Sequence, residues 1–296
     1  PPTLDVEMSD IQQAIFTSAR TERMDGYQLV AVSDGISSEQ RDELSAWGPA
    51  HDSLLNPQSR LGSVNFHRMA TGDFCLSKTV PAGAEYSGRD GPRTYTTFLI
   101  LSPNEMQRFA FQPFRVLDAA VAGGYLRVAR RLSDTLPCVR LRGRASVALA
   151  SILEPLSEPE LRQQVLAIGA AICRGKAMVV SESNLRPILD RLYNLLPVAC
   201  RAELTFSTGL KSSPQRPLQV QPAAGNDMNS QATARQANAT LIDLSSSAND
   251  VPSGWWGLID ELLEREQLSE IVNLLSADGE EITLSDLPNW SAATAG

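Results

Sequence analysis

Histidines, paired cysteines and long apolar runs are all scarce in this chain of 296 residues, and each scarcity closes off a class of function. The longest unbroken run of apolar or glycine residues, Val165 to Cys173, is nine long, whereas a membrane-spanning helix needs roughly twenty. His51 and His67 are the two histidines, which leaves little for a histidine-based metal site. Cys75, Cys138, Cys173 and Cys200 form no C-x-x-C pair, so neither a structural zinc site nor a disulfide framework is expected. No signal-peptide pattern opens the sequence. With the cysteine usage, this predicts a protein of a reducing cytoplasm, with no membrane partner, no metal and no cofactor.

A phosphate-binding P-loop is missing too. It needs G-x-x-x-x-G-K-[ST] between a strand and a helix, so that backbone amides and the helix terminus cradle phosphate. Gly169 to Lys176 misplaces the first glycine, puts Ala177 where a hydroxyl should bind magnesium, and ends a helix where it should begin one.

The net charge of −8 speaks against a nucleic-acid backbone as partner, because affinity for phosphate needs clustered lysine and arginine. The charge is unevenly placed, however. Arg108, Arg115, Arg127, Arg130, Arg131, Arg140, Arg142 and Arg144 stand against Asp118 and Asp134, a local balance of +6, whereas from Asp243 onward the balance is −10. Two solvated faces explain this. So does docking of the acidic tail on the arginine-rich connector.

At about 150 residues per domain the length predicts two domains. Ile11 to Phe16 and Tyr27 to Val32 read as neighbouring strands around a polar turn, residues 18–26. Ser37 and Gln40 match a capping box, and the helix they open stops at Gly48-Pro49. Ser63 to Met69 and Asp73 to Val80 flank Ala70-Thr71-Gly72, a hairpin signal. Pairing Met69 with Asp73 sets Phe66 opposite Leu76 and, on the other face, His67 opposite Cys75, with Asn65 and Ser77 beside them. A slip by one residue would mix the faces. A polar loop, residues 82–92, leads to a strand from Arg93 to Leu101, and Ser102, Pro103 and Glu105 start another helix.

The second half alternates helix and strand. Ser157-Glu158-Pro159-Glu160 reads as a capping box, followed by Leu161, Val165, Ile168 and Ile172 on one helical face and closure at Gly175. Ala177 to Val180 is a short buried strand, Leu185, Leu189, Leu192 and Leu196 mark a helix, and Leu204 to Ser207 a strand. Residues 223–239, rich in Ala, Asn and Gln, show no apolar periodicity and read as a mobile loop. Thr240 to Leu244 is a strand candidate, and Trp255, Trp256, Ile259, Leu262, Leu263, Ile271, Leu274 and Leu275 lie on two short helices.

The fold class predicted is α+β. An N-terminal domain with a mixed or antiparallel sheet and a few helices (10–130) precedes an arginine-rich connector (131–156), an α/β middle domain (157–245) and an acidic helical C-terminal segment (246–296).

Two constellations carry chemistry. Cys75 and His67, paired across the hairpin with about 5 Å between Cβ atoms, would suit a thiolate activated by imidazole in a thiol-dependent enzyme or redox sensor. No orienting acid or oxyanion site accompanies them, so the reading favours no catalytic residue at all. Arg20, Arg23 and Asp25 in the first turn, with Glu85, Tyr86, Ser87 and Arg89 in the long loop, would form one interaction surface if their strands are neighbours.

Phe16-Thr17-Ser18-Ala19-Arg20, Asp25-Gly26-Tyr27-Gln28, Trp47-Gly48-Pro49, Ser63-Val64-Asn65-Phe66-His67 and Gly83-Ala84-Glu85-Tyr86-Ser87-Gly88-Arg89 resemble the N-terminal domain of the GTPase-associated proteins of bacterial conflict systems. Leu204-Thr205-Phe206-Ser207-Thr208-Gly209-Leu210 resembles that family's middle domain. The resemblance spans about residues 10–245 and implies an adaptor that works with a GTPase-like partner in NTP-dependent, defence-type systems. It supplies no catalytic residues.

Overall fold

The computed structural model describes residues 10–20, 25–84, 92–129, 133–146, 158–181, 184–245, 253–276 and 282–290. It divides into two units. One comprises Pro1–Phe109, Pro113–Ala145 and Gly209–Arg216, the other Ala110–Gln112, Ser146–Thr208 and Pro217–Gly296. The α+β class read from the sequence holds.

The first unit is built on a mixed sheet of β1 (Asp10–Arg20), β2 (Asp25–Ser33), β3 (Ser63–Arg68), β4 (Phe74–Ala84), β5 (Pro92–Leu101), β6 (Thr135–Leu136) and β7 (Val139–Arg140). The order is β3-β4-β5-β1-β2-β6, with β7 on the start of β1. Every pairing is antiparallel except that of β2 with β6. The β3–β4 hairpin takes the expected register: the Met69 amide donates to Asp73 O at 2.8 Å, Phe66 faces Leu76 and His67 faces Cys75.

Three helices serve this sheet: α1 (Ser38–Trp47), α2 (Pro103–Arg108) and α3 (Pro113–Ala122). Both expected capping boxes form. Ser37 Oγ accepts from the Gln40 amide while Gln40 Oε1 accepts from the Ser37 amide, and Ser102 and Glu105 repeat the exchange. Leu44 of α1 joins Ala14, Phe16, Ile36, Met69, Cys75, Phe98 and Ile100 in one cluster on a face of the sheet. Further along that face the strands bury polar side chains, which bond to one another. Ser63 Oγ donates to Asn65 Oδ1 at 2.7 Å, Asn65 Nδ2 to Ser77 Oγ at 3.0 Å, and the Thr79 and Thr96 hydroxyls meet at 2.9 Å. Unsatisfied, each would cost about 1–3 kcal/mol.

Several boundaries differ from the sequence reading. β1 runs on through Thr17 and Ser18, both buried, because the Thr17 hydroxyl finds Thr94 O at 2.7 Å. β1 extends to Arg20 and β2 begins at Asp25, while β4 runs on to Ala84 and β5 begins at Pro92, so the strands take up part of both stretches read as turn and loop. Part of the stretch read as an arginine-rich connector adds strands to the sheet. Val139 and Leu141 are buried while Arg140 and Arg142 point out, a period of two that the arginine count hides. Gln13 Nε2 ties this stretch down by donating to Pro137 O at 2.7 Å.

In the second unit β8 (Lys176–Val180), β9 (Phe206–Ser207), β10 (Val220–Ala223) and β11 (Ala239–Asp243) form parallel pairs in the order β11-β8-β10-β9. They alternate with α4 (Pro159–Ile172), α5 (Arg186–Asn194), α6 (Val198–Arg201) and α7 (Met228–Gln236); α8 (Gly254–Glu264) and α9 (Leu268–Ser276) follow. The N-cap of α4 is Glu158, which makes no side-chain cap bond, and Pro159 opens the helix; Ser157 lies outside the described residues. Val165, Ile168 and Ile172 are buried as its periodicity predicts.

Helix α7 corrects the reading of 223–239 as a loop. Asp227 Oδ1 caps it by accepting from the Ser230 amide at 2.7 Å, and its buried positions are the small residues Ser230 and Ala234, so no apolar stripe marks it. Trp255 and Trp256 of α8 are fully buried, and Trp255 Nε1 donates to Leu195 O at 2.9 Å.

The end of α1 is set by close approach. A Cβ built on Gly48 would lie 2.5 Å from the Phe16 ring, whose residue is 3% exposed. Gly72, at the β3–β4 turn, has φ of +92° but nothing within 4 Å of such a Cβ. Gly48→Ala is expected to cost about 1–3 kcal/mol through overpacking and to be partly rescued by Phe16→Leu. Gly72→Ala should cost about 1 kcal/mol for its backbone alone and gain nothing from the same second change. Urea unfolding of the four variants checks this.

Candidate interaction surface

Register decides where the two decorated connections emerge. Arg20 pairs with Asp25 across β1 and β2, Thr17 pairs with Tyr95 across β1 and β5, and Ala84 pairs with Pro92 across β4 and β5. Because β1 and β5 are antiparallel neighbours, the last residue of β1 and the first of β5 lie at the same end of the sheet. The 21–24 and 85–91 connections therefore leave one rim of four strand ends, although about sixty residues separate them in sequence.

That rim is braced. The Thr94 amide donates to Tyr27 Oη at 3.1 Å and the Thr94 hydroxyl to Pro49 O at 2.8 Å, while Gln28 Nε2 reaches Ala19 O and Arg93 Nε reaches Ala82 O. A register shift between Pro81 and Ala84 bends the end of β4. Of the residues expected to form the surface, Arg20 and Asp25 are brought together. Arg23, Glu85, Tyr86, Ser87 and Arg89 lie outside the described residues.

The proposed thiol chemistry gains no support. Cys75 is fully buried, and burial, with Glu43 adding its charge, pushes its thiol far above the usual range. His67 does sit opposite Cys75, but its ring stacks on Trp47 with centroids 3.6 Å apart and planes 5° from parallel. Sequence reasoning missed both of the residues that hold it. Glu43, one turn before Trp47 on α1, brings Oε1 to 3.5 Å from His67 Nε2 and accepts from the Ala70 amide through Oε2 at 3.0 Å. Gln40 adds a bond from Nε2 to Asp73 Oδ2 at 2.8 Å, so α1 grips the hairpin tip along one edge. The spacing of Gln40, Glu43 and Trp47, three and four residues apart, was the available signal, since it places them on one helical face.

Among the described residues no group of three or more His, Cys, Asp or Glu could hold a metal, and no helix is long and apolar enough to cross a membrane.

Comparison with known families adds to this geometry. Residues 10–138 match the family model of GTPase-associated protein 1, N-terminal domain type 2, which supports placing that segment in the GTPase-associated protein family. The matched span runs from the start of β1 through β6. No curated protein and no solved structure matches the chain. Four of the motifs that carry the resemblance meet in one place: Phe16 lies under Gly48, Tyr27 stacks on Phe16 with centroids 6.0 Å apart, and Trp47 covers His67.

Burial holds the His67 pKa below its ordinary 6.5, against the pull of Glu43. Burial raises the Glu43 carboxyl, but the His67 and Ala70 bonds together hold it below its ordinary 4.5. On acidification the unfolded chain takes up a proton at His67 before the native protein does, and lower down the same holds for Glu43. Native stability is thus expected to be full above pH 6.5 and to fall as pH drops below it. His67→Phe, which keeps a stacking ring and removes the titration, should flatten the upper part of that fall in urea melts at stepped pH. Equal slopes in both proteins would refute the assignment. In the native protein Cys75 should react with iodoacetamide far more slowly than a model thiol at neutral pH, and at the normal rate in urea.

Proposed function

We propose that this protein is a non-enzymatic adaptor that works with a GTPase-like protein in a bacterial NTP-dependent conflict system of the defence type, in the cytoplasm. The observation that carries the reading is the match of residues 10–138 to a GTPase-associated protein domain. The convergence of the 21–24 and 85–91 connections on one braced rim supports it. A partner is held through side chains displayed by those connections and the strand ends that flank them: Arg20, Arg23, Asp25, Glu85, Tyr86, Ser87 and Arg89. A sheet braced beneath them lets binding avoid much of the ordering cost that mobile segments carry. The resemblance of Leu204 to Leu210 to the family's middle domain belongs to the same proposal, and the family match stops short of it.

Docking of the acidic tail on the arginine-rich stretch finds no favouring observation. Three of the described acids of that tail form ion pairs in their own unit, Asp260 and Glu264 with Arg162 and Glu261 with Arg265. In the first unit Arg140 is taken by Asp10 at 2.7 Å.

Co-purification with the GTPase-like protein encoded beside it tests the adaptor reading. Tyr86→Ala combined with Arg89→Ala should weaken binding by about 10- to 100-fold, the range of an aromatic and arginine hot spot, with an unchanged urea midpoint. Full retention by the double variant and by Glu85→Ala would remove the surface.

A further inference from the structure

The segment Gly209–Arg216 folds against the first unit. Leu210 bridges Leu54, the Lys211 amide donates to Ser53 O at 2.8 Å, and Lys211 Nζ lies 2.8 Å from Asp52 Oδ1. The segment then closes on itself, with Ser213 bridging Arg216 and the Arg216 amide donating to Ser213 O at 3.0 Å.

Arg216 is only 7% exposed, yet among the described residues nothing accepts a hydrogen bond from its guanidinium, and its Nε is sealed from solvent without a partner. The contrast is Arg201 in the second unit, 1% exposed, whose guanidinium donates to the carbonyls of Leu196, Ala110 and Asn194. A buried cation without a counterpart is costly, and chains keep such groups paired or bound to something. Burial alone lowers the pKa of Arg216, with no acid opposing it.

We propose that Arg216 is the receptor for a phosphoryl group, which reaches it from solution and completes its hydrogen bonding. An outward-reaching role on a partner's phosphates is ruled out by the burial of the side chain: the anion has to come to it. Phosphoryl chemistry fits better than a carboxylate because the same short segment offers further donors. Ser212 makes no side-chain hydrogen bond among the described residues, and Ser213 Oγ accepts from the Gln215 amide, leaving its hydroxyl proton to give. A guanidinium fork and hydroxyls carried on the same bridged segment suit an oxyanion of three acceptor oxygens. The inference is independent of the adaptor reading.

Titration calorimetry of the full chain with inorganic phosphate tests it, with guanosine diphosphate and acetate as further arms. Phosphate is expected to bind, and acetate to bind at least tenfold more weakly. Arg216→Met should weaken phosphate binding by about 10- to 100-fold without lowering the urea midpoint, since an apolar side chain of similar length replaces an unpaired charge. Guanosine diphosphate binding more tightly than phosphate, with the same loss in the variant, would identify a nucleotide as the source; phosphate binding alone would identify the free anion. The proposal is overturned if the wild-type chain binds neither at millimolar concentration, if acetate binds as well as phosphate, or if Arg216→Met unfolds more readily than wild type.

Discussion

Trp47, Gly48 and Pro49 fix where the first helix ends on the sheet, and much of the first unit follows from that contact. The missing side chain of Gly48 admits the Phe16 ring, the indole before it covers His67, and the carbonyl after it holds Thr94. Three strands, β1, β3 and β5, are thereby referred to a single tripeptide. Close-packed rings and a short backbone approach leave little room for sliding, so the polar pairs further along the strands meet in register.

His67 is buried in a packing contact. Its ring is an aromatic surface for Trp47, its Nε2 faces a carboxylate at the edge of hydrogen-bonding distance, and its cross-strand neighbour is a thiol that burial keeps protonated. A nucleophile needs its base, an entry path and a place for developing charge, and here Trp47 and Glu43 of α1 lie against a His67 that is 3% exposed.

Much of this was legible because local signals agreed with tertiary ones. Ser37 with Gln40 and Ser102 with Glu105 are complete capping boxes in sequence and in space. The β3–β4 register followed from keeping Phe66 and Leu76 on one face. Where reading failed, the signal was small or disguised. Helix α7 buries only Ser230 and Ala234, too little apolar surface to show a period. The β6–β7 region hid Val139 and Leu141 among arginines. The sequence reading ends the first strand at Phe16, with Ser18 as a turn residue, because the partner of the Thr17 hydroxyl, Thr94, lies 77 positions away. The candidate surface was legible only as a condition, that β1 and β5 be neighbours, and pairing between distant strands is what a single sequence reveals least. Arg216 could not be found at all from sequence, since its oddity is a missing partner.

The way the chain is shared between its units limits how it can be taken apart. Leu54 is 2% exposed, and its bridge partner is Leu210, far along the chain from the rest of the first unit. A fragment ending near Ala145 would keep every strand of the β-rich sheet and still lack this strap, baring a leucine and the backbone groups of Ser53 and Leu55 that the strap satisfies. Dissection of this protein therefore calls for excision and rejoining, or permutation of the termini, because no single cut yields the front half whole.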